Sequence, residues 1–78
     1  MMSNKTERAA LLQQLIEGER GVAEGQAYLT RQEALVAQLD RDGHDTTEAK
    51  LLLATMRKAQ SLDVQERDRI SEELRNLK

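Results

Sequence analysis

Residues 39–49 read LDRDGHDTTEA, and this stretch turns the chain back on itself. Gly43 is placed to take the left-handed conformation just past the end of a helix, where other residues pay a steric penalty. His44 follows it, at the position whose ring can pack back over Leu39. Asp45 then offers a side-chain oxygen to the open N–H groups of a new helix, and Glu48, three residues on, completes a capping box. A helix stop, a two-residue link and a helix start make an αα-hairpin.

Upstream of the turn, apolar and small residues repeat every seven positions. One row reads Leu15, Val22, Leu29 and Val36, after Arg8; the other reads Leu11, Gly18, Gly25, Gln32 and Leu39. A seven-residue repeat sustained this far implies a left-handed supercoil. The first helix is expected over about 4–42, roughly 58 Å at 1.5 Å per residue. Downstream, the second helix is expected over about 46–77, with a stripe at Ala49, Leu52, Met56, Ala59, Asp63, Ile70, Leu74 and Leu77. Leu51 with Leu62 widens that stripe on one side, and Leu53 with Val64 on the other. Leu12, Ile16, Ala23 and Ala27 add a weaker second row to the first helix. One partner helix covers only a narrow seam, so these extra rows leave apolar surface over. The expected fold is an all-α antiparallel hairpin that pairs with a second copy in a four-helix bundle. Leu12, Ile16, Leu53 and Val64 are the candidate partner surface.

Composition agrees with this design. The chain has 78 residues, a net charge of −2, 33% charged residues, and no proline, cysteine, tryptophan or phenylalanine. A chain this short buries a small core, and without cysteine neither disulfides nor a thiolate metal site can reinforce it. Regular helix packing or oligomerisation is left as the source of stability. No apolar run reaches a membrane-spanning length, and the MMSNKTERAALL start lacks the apolar region of a signal peptide, so a cytoplasmic location is expected. Basic residues are dispersed among acidic ones, which argues against a nucleic-acid partner. One domain accounts for residues 1–78, with no linker or internal repeat.

The stretch EGERGVAEGQ, residues 17–26, places three glycines inside the first helix. Each costs about 0.8–1.0 kcal/mol relative to alanine in a helix interior. Folding about residues 43–45 sets residue i opposite roughly residue 88 minus i, by antiparallel helix geometry. Ile70 is then expected beside Gly18, and Asp63 beside Gly25. Gly18 and Gly25 share the seam, which points to close helix approach; Gly21 lies off it. Asp63, central in the apolar stripe, is read as a seam position open to solvent beside Gly25.

Chemistry is hard to assemble from the remaining residues. Asp40, Asp42 and Asp45 superficially suggest a calcium loop, but the positions that need glycine and glutamate hold Asp45 and Leu51. His44 is the lone histidine, no cysteine exists, and Glu72 and Glu73 point in different directions on a helix. No catalytic, cofactor-binding or metal residues are assigned. The mixed signs of QERDRISEELRNLK read as a solvated face with intrahelical pairs.

From Val22 onward, VAEGQAYLTRQ, LDRDGHDTTEAKLLLATM and QSLDVQERDRI resemble a group of short, uncharacterised bacterial proteins associated with alphaproteobacteria. The GHDT turn, the leucines after it and RDR before an aliphatic residue carry the likeness, which spans the last three quarters of the chain. The group more often has an aromatic residue where Met56 stands. The resemblance implies a helical hairpin and brings no activity, cofactor or partner. The expected function is a non-enzymatic interaction, regulatory or structural protein acting through self-association and helix-mediated binding of a protein partner. Ligand or metal binding in the bundle is the alternative, and nucleic-acid association a second one that the charge disfavours.

Overall fold

A computed structural model describes residues 4–77, which form two helices: α1 over Asn4–Arg41 and α2 over Thr47–Asn76. They pack antiparallel along their length in a rod measuring 60 × 16 × 15 Å. The chain is an all-α helical hairpin. Among the described residues, no helix is long and apolar enough to cross a membrane.

The turn is a Schellman motif. Gly43 has φ +85°, its N–H donates to the Asp40 carbonyl at 3.1 Å, and the His44 N–H donates to the Leu39 carbonyl at 3.0 Å. Those bonds satisfy carbonyls that the end of α1 would otherwise leave open. Every α1 seam position from Leu11 to Leu39 is buried or half-buried: Leu11, Leu15, Gly18, Val22, Gly25, Leu29, Gln32, Val36 and Leu39. The heptad reading of α1 therefore identifies its inner face.

On α2 the inner face is rotated by one position from the expected stripe near the turn. Leu53 is 5% exposed and buried against Leu29 and Val36, while Leu52 is 62% exposed. Further on, Gln60 and Arg67 are half-buried, whereas Ala59 and Asp63 are exposed. The register explains the rotation. Facing residues add to 85, as in Gly18 with Arg67 and Gly25 with Gln60. The connection is asymmetric: residues 42–44 stay capped on α1, and the chain enters α2 through Thr46, whose hydroxyl donates to Asp40 Oδ1 at 3.0 Å. That bond sets the start of α2 beside the last turn of α1, three positions from a fold centred on His44.

The core is concentrated near the turn. Leu29, Val36 and Leu53 form one cluster with half-buried Ala49 and Met56 against it. Ile70 is the buried apolar residue of the far half, flanked by half-buried Leu11, Leu15, Leu74 and Leu77. Between these two zones the seam carries Gly18, Gly25, Gln60 and Arg67.

Candidate interaction surface

The capping residues at the turn divide their work differently from a capping box. Asp45 Oδ1 accepts from the Thr47 N–H at 3.0 Å and from the Thr47 hydroxyl at 2.8 Å. The Thr47 N–H and hydroxyl hold the Asp45 carboxyl below its usual range. Thr46, however, is the residue at the helix boundary, and its carbonyl accepts the first helical bond, from Lys50, at 2.9 Å. That places Glu48 at the second helical position, one short of where a capping box closes. Glu48 is therefore the acidic residue of the first turn, where it complements the helix dipole. His44 is exposed.

The turn's three aspartates are each engaged by the protein itself. Asp40 meets Thr46 and Lys50, Asp42 accepts from Gln38 Nε2 at 3.1 and 3.2 Å, and Asp45 is held by Thr47. Among the described residues no group of three or more His, Cys, Asp or Glu side chains is arranged to hold a metal ion. Thr46 is the one buried polar residue described, and sequence reasoning missed it. Thr46 lies seven residues before Leu53, in the same heptad row, so its burial follows only once Leu53 is placed in the core.

The two seam glycines prove different. A Cβ on Gly18 would lie 3.7 Å from Arg67 Cβ, an ordinary contact, so the site does not require glycine. Ile70, expected opposite Gly18, lies one turn further along α2; both line an open groove of about 430 Å³ with Val22, Asp63 and Glu66. Arg67 lays its stem on Gly18 and pairs its head with Asp68 at 3.0 Å. At Gly25 the space is in use. A Cβ there would overlap Gln60 Oε1 and lie 3.1 Å from Gln60 Cδ. The missing side chain lets the Gln60 amide reach across the seam and donate from Nε2 to the Val22 carbonyl at 2.8 Å. Asp63 is exposed beside this site.

Of the four residues expected on a partner surface, Leu53 is instead a core residue, because the register of 85 turns it inward, and Val64 is half-buried. Leu12 and Ile16 are exposed. Other large apolar side chains join them on the surface: Tyr28, Leu35, Leu51, Leu52 and Leu62. On α2, Arg69 bridges Glu66 and Glu73, and Arg75 pairs with Glu72. The hydrogen bond from Arg69 holds Glu66 below its usual range, and these exposed pairs each contribute little. No protein-family model matches the chain, and neither the curated proteins nor the solved structures compared with it give a significant match.

Proposed function

We propose that the protein is a small, soluble, cytoplasmic, non-enzymatic module that self-associates into a four-helix bundle and presents helical surface to a protein partner. One observation carries this reading. The hairpin exposes 6060 Å², whereas a compact monomer of its 8.9 kDa exposes about 4,800 Å² by the size scaling of folded proteins. Seven large hydrophobic side chains stand exposed on that surface. Four buried apolar side chains, at about 1.5–3 kcal/mol each, are few to order a rod of this length. Pairing two hairpins would bury part of this apolar surface and enlarge the core. Sedimentation equilibrium tests the reading. A species of twice the chain mass at micromolar concentration is expected, and a stably folded monomer there would refute it.

A further inference from the structure

The bend that joins the helices also contains the Asp–Gly linkage of the chain. Asp42 precedes Gly43, and nowhere else in the sequence does an aspartate or asparagine stand before a glycine. An aspartyl carboxyl can be attacked by the backbone nitrogen of the residue after it, which closes a five-membered succinimide ring. A side chain on that next residue hinders the approach, and glycine has none. Asp40, Asp45, Asp63 and Asp68 precede Arg41, Thr46, Val64 and Arg69. Asp42 and Gly43 are both exposed, so water reaches the linkage.

In the folded turn both reacting groups are engaged elsewhere. The Asp42 carboxylate accepts from Gln38 Nε2 at 3.1 and 3.2 Å, one turn back along α1. Arg41 donates to Gln38 Oε1 at 2.6 Å, which holds that amide in place. The Gly43 N–H donates to the Asp40 carbonyl at 3.1 Å, and the Asp42 N–H keeps its helical bond to the Gln38 carbonyl at 3.0 Å. Ring closure needs the Gly43 nitrogen to release its proton and the carboxyl to swing over it. The bonds to Asp40 and Gln38 must therefore break first.

We infer that Asp42–Gly43 is a site of spontaneous isoaspartate formation gated by the Schellman turn: conversion proceeds while the turn is open, and the product keeps the turn from closing again. The reaction needs only water. The Gly43 nitrogen bonds to Asp42 Cγ, and its proton leaves with the Cγ hydroxyl as water. The ring then opens when water adds to either of its carbonyls. Addition at Cγ restores aspartate. Addition at the main-chain carbonyl breaks its bond to the Gly43 nitrogen, so the chain runs on through Cβ and Cγ and the former main-chain carbonyl becomes a free carboxylate. Mass is unchanged, and the backbone gains an atom directly before Gly43. The Gly43 and His44 N–H groups are then out of step with the Asp40 and Leu39 carbonyls, and the end of α1 loses its cap.

The test is incubation of the full chain at physiological temperature, in buffer and in denaturing urea, with isoaspartate at each aspartate read by peptide mapping and tandem mass spectrometry. Conversion at Asp42 is expected to be about tenfold or more faster in urea, the factor that corresponds to a local opening free energy of about 1.4 kcal/mol. Gln38→Ala should speed conversion in buffer by about two- to fivefold, as loss of an exposed hydrogen bond allows, and leave the rate in urea unchanged. Alanine is the better helix former, so a weakened α1 would not explain that rise. Asp42→Glu, whose carboxyl stands too far along the side chain for the five-membered ring, should show no conversion at position 42. A chain synthesised with isoaspartate at position 42 should melt about 4–8 °C or more below the native chain. Equal rates in buffer and urea would overturn the gate, and conversion spread evenly over all the aspartates would overturn the site. An unchanged buffer rate in Gln38→Ala would remove the hold on the carboxylate, and native melting of the isoaspartate chain would remove the block on re-closure.

Discussion

Replacing the three α1 glycines by alanine, one at a time, separates backbone propensity from packing. Each substitution gains about 0.8–1.0 kcal/mol of helix propensity, and the surroundings then decide the sign. Gly21 has nothing within 4 Å of an added Cβ, so Gly21→Ala should deliver the full gain. In a domain of this size that raises the melting temperature by about 4–8 °C. Gly18→Ala places its methyl 3.7 Å from Arg67 Cβ and should stabilise at least as much. Gly25→Ala displaces the Gln60 amide and forfeits its bond to the Val22 carbonyl, a loss of about 0.5–1.5 kcal/mol that cancels the propensity gain. Gly25→Ala is therefore expected near zero, about 1 kcal/mol below Gly21→Ala. In a Gln60→Ala background it should recover the full gain, giving a coupling of about 1 kcal/mol in the double-mutant cycle. Urea denaturation followed by circular dichroism at fixed protein concentration reads all of these. Equal stabilisation by Gly25→Ala and Gly21→Ala, with no coupling to Gln60, would refute the reasoning.

Thr46→Val should cost about 1–2 kcal/mol by removing the donor to Asp40, while Asp40→Asn, which keeps an acceptor, should cost less; thermal melts distinguish the two. Asp45 has a carboxyl pKa lowered on folding by the Thr47 N–H and hydroxyl, so its contribution is complete above the unfolded value of about 3.9 and is lost as pH falls through the lower folded value. Asp45→Asn, which keeps the acceptor without titrating, should melt with a shallower dependence on pH below about 4 than the native chain. Hydrogen exchange should protect amides around Leu29, Val36 and Leu53 more than those around Leu15 and Arg67, since the apolar core lies near the turn; the reverse order would show that the far half holds the rod together. Calcium, magnesium and zinc should leave the melting temperature unchanged, because Asp40, Asp42 and Asp45 are already engaged by protein groups.

The hairpin itself was legible from local chemistry. Gly43 followed by Asp45 marks a stop and a start wherever the chain meets them, because a left-handed φ and a side-chain cap are properties of a few consecutive residues. The inner face of α1 followed equally directly, since its apolar and small residues repeat on a single heptad without competition. On α2 the signal was ambiguous. Leu51, Leu52 and Leu53 are consecutive and equally apolar, so composition could not say which of them faces α1. The surface candidates suffered the same ambiguity: Leu53 looked like an outer edge, and Leu52 was read into the inner stripe, whereas the fold exchanges the two.

What the sequence alone determined is the topology, because capping, periodicity and the absence of proline act within a turn or two of the residues that cause them. What only the tertiary structure decided is the register. Thr46 anchors to Asp40, and that one bond brings α2 in at a level no local rule specifies. With the level set, Gln60 rather than Ala59 enters the seam, because the space left by Gly25 and the Val22 carbonyl suit an amide better than a methyl group. The same rotation buries Leu53, turns Leu52 outward, and sets Asp40 against Lys50 and Glu33 against Arg57 along one flank.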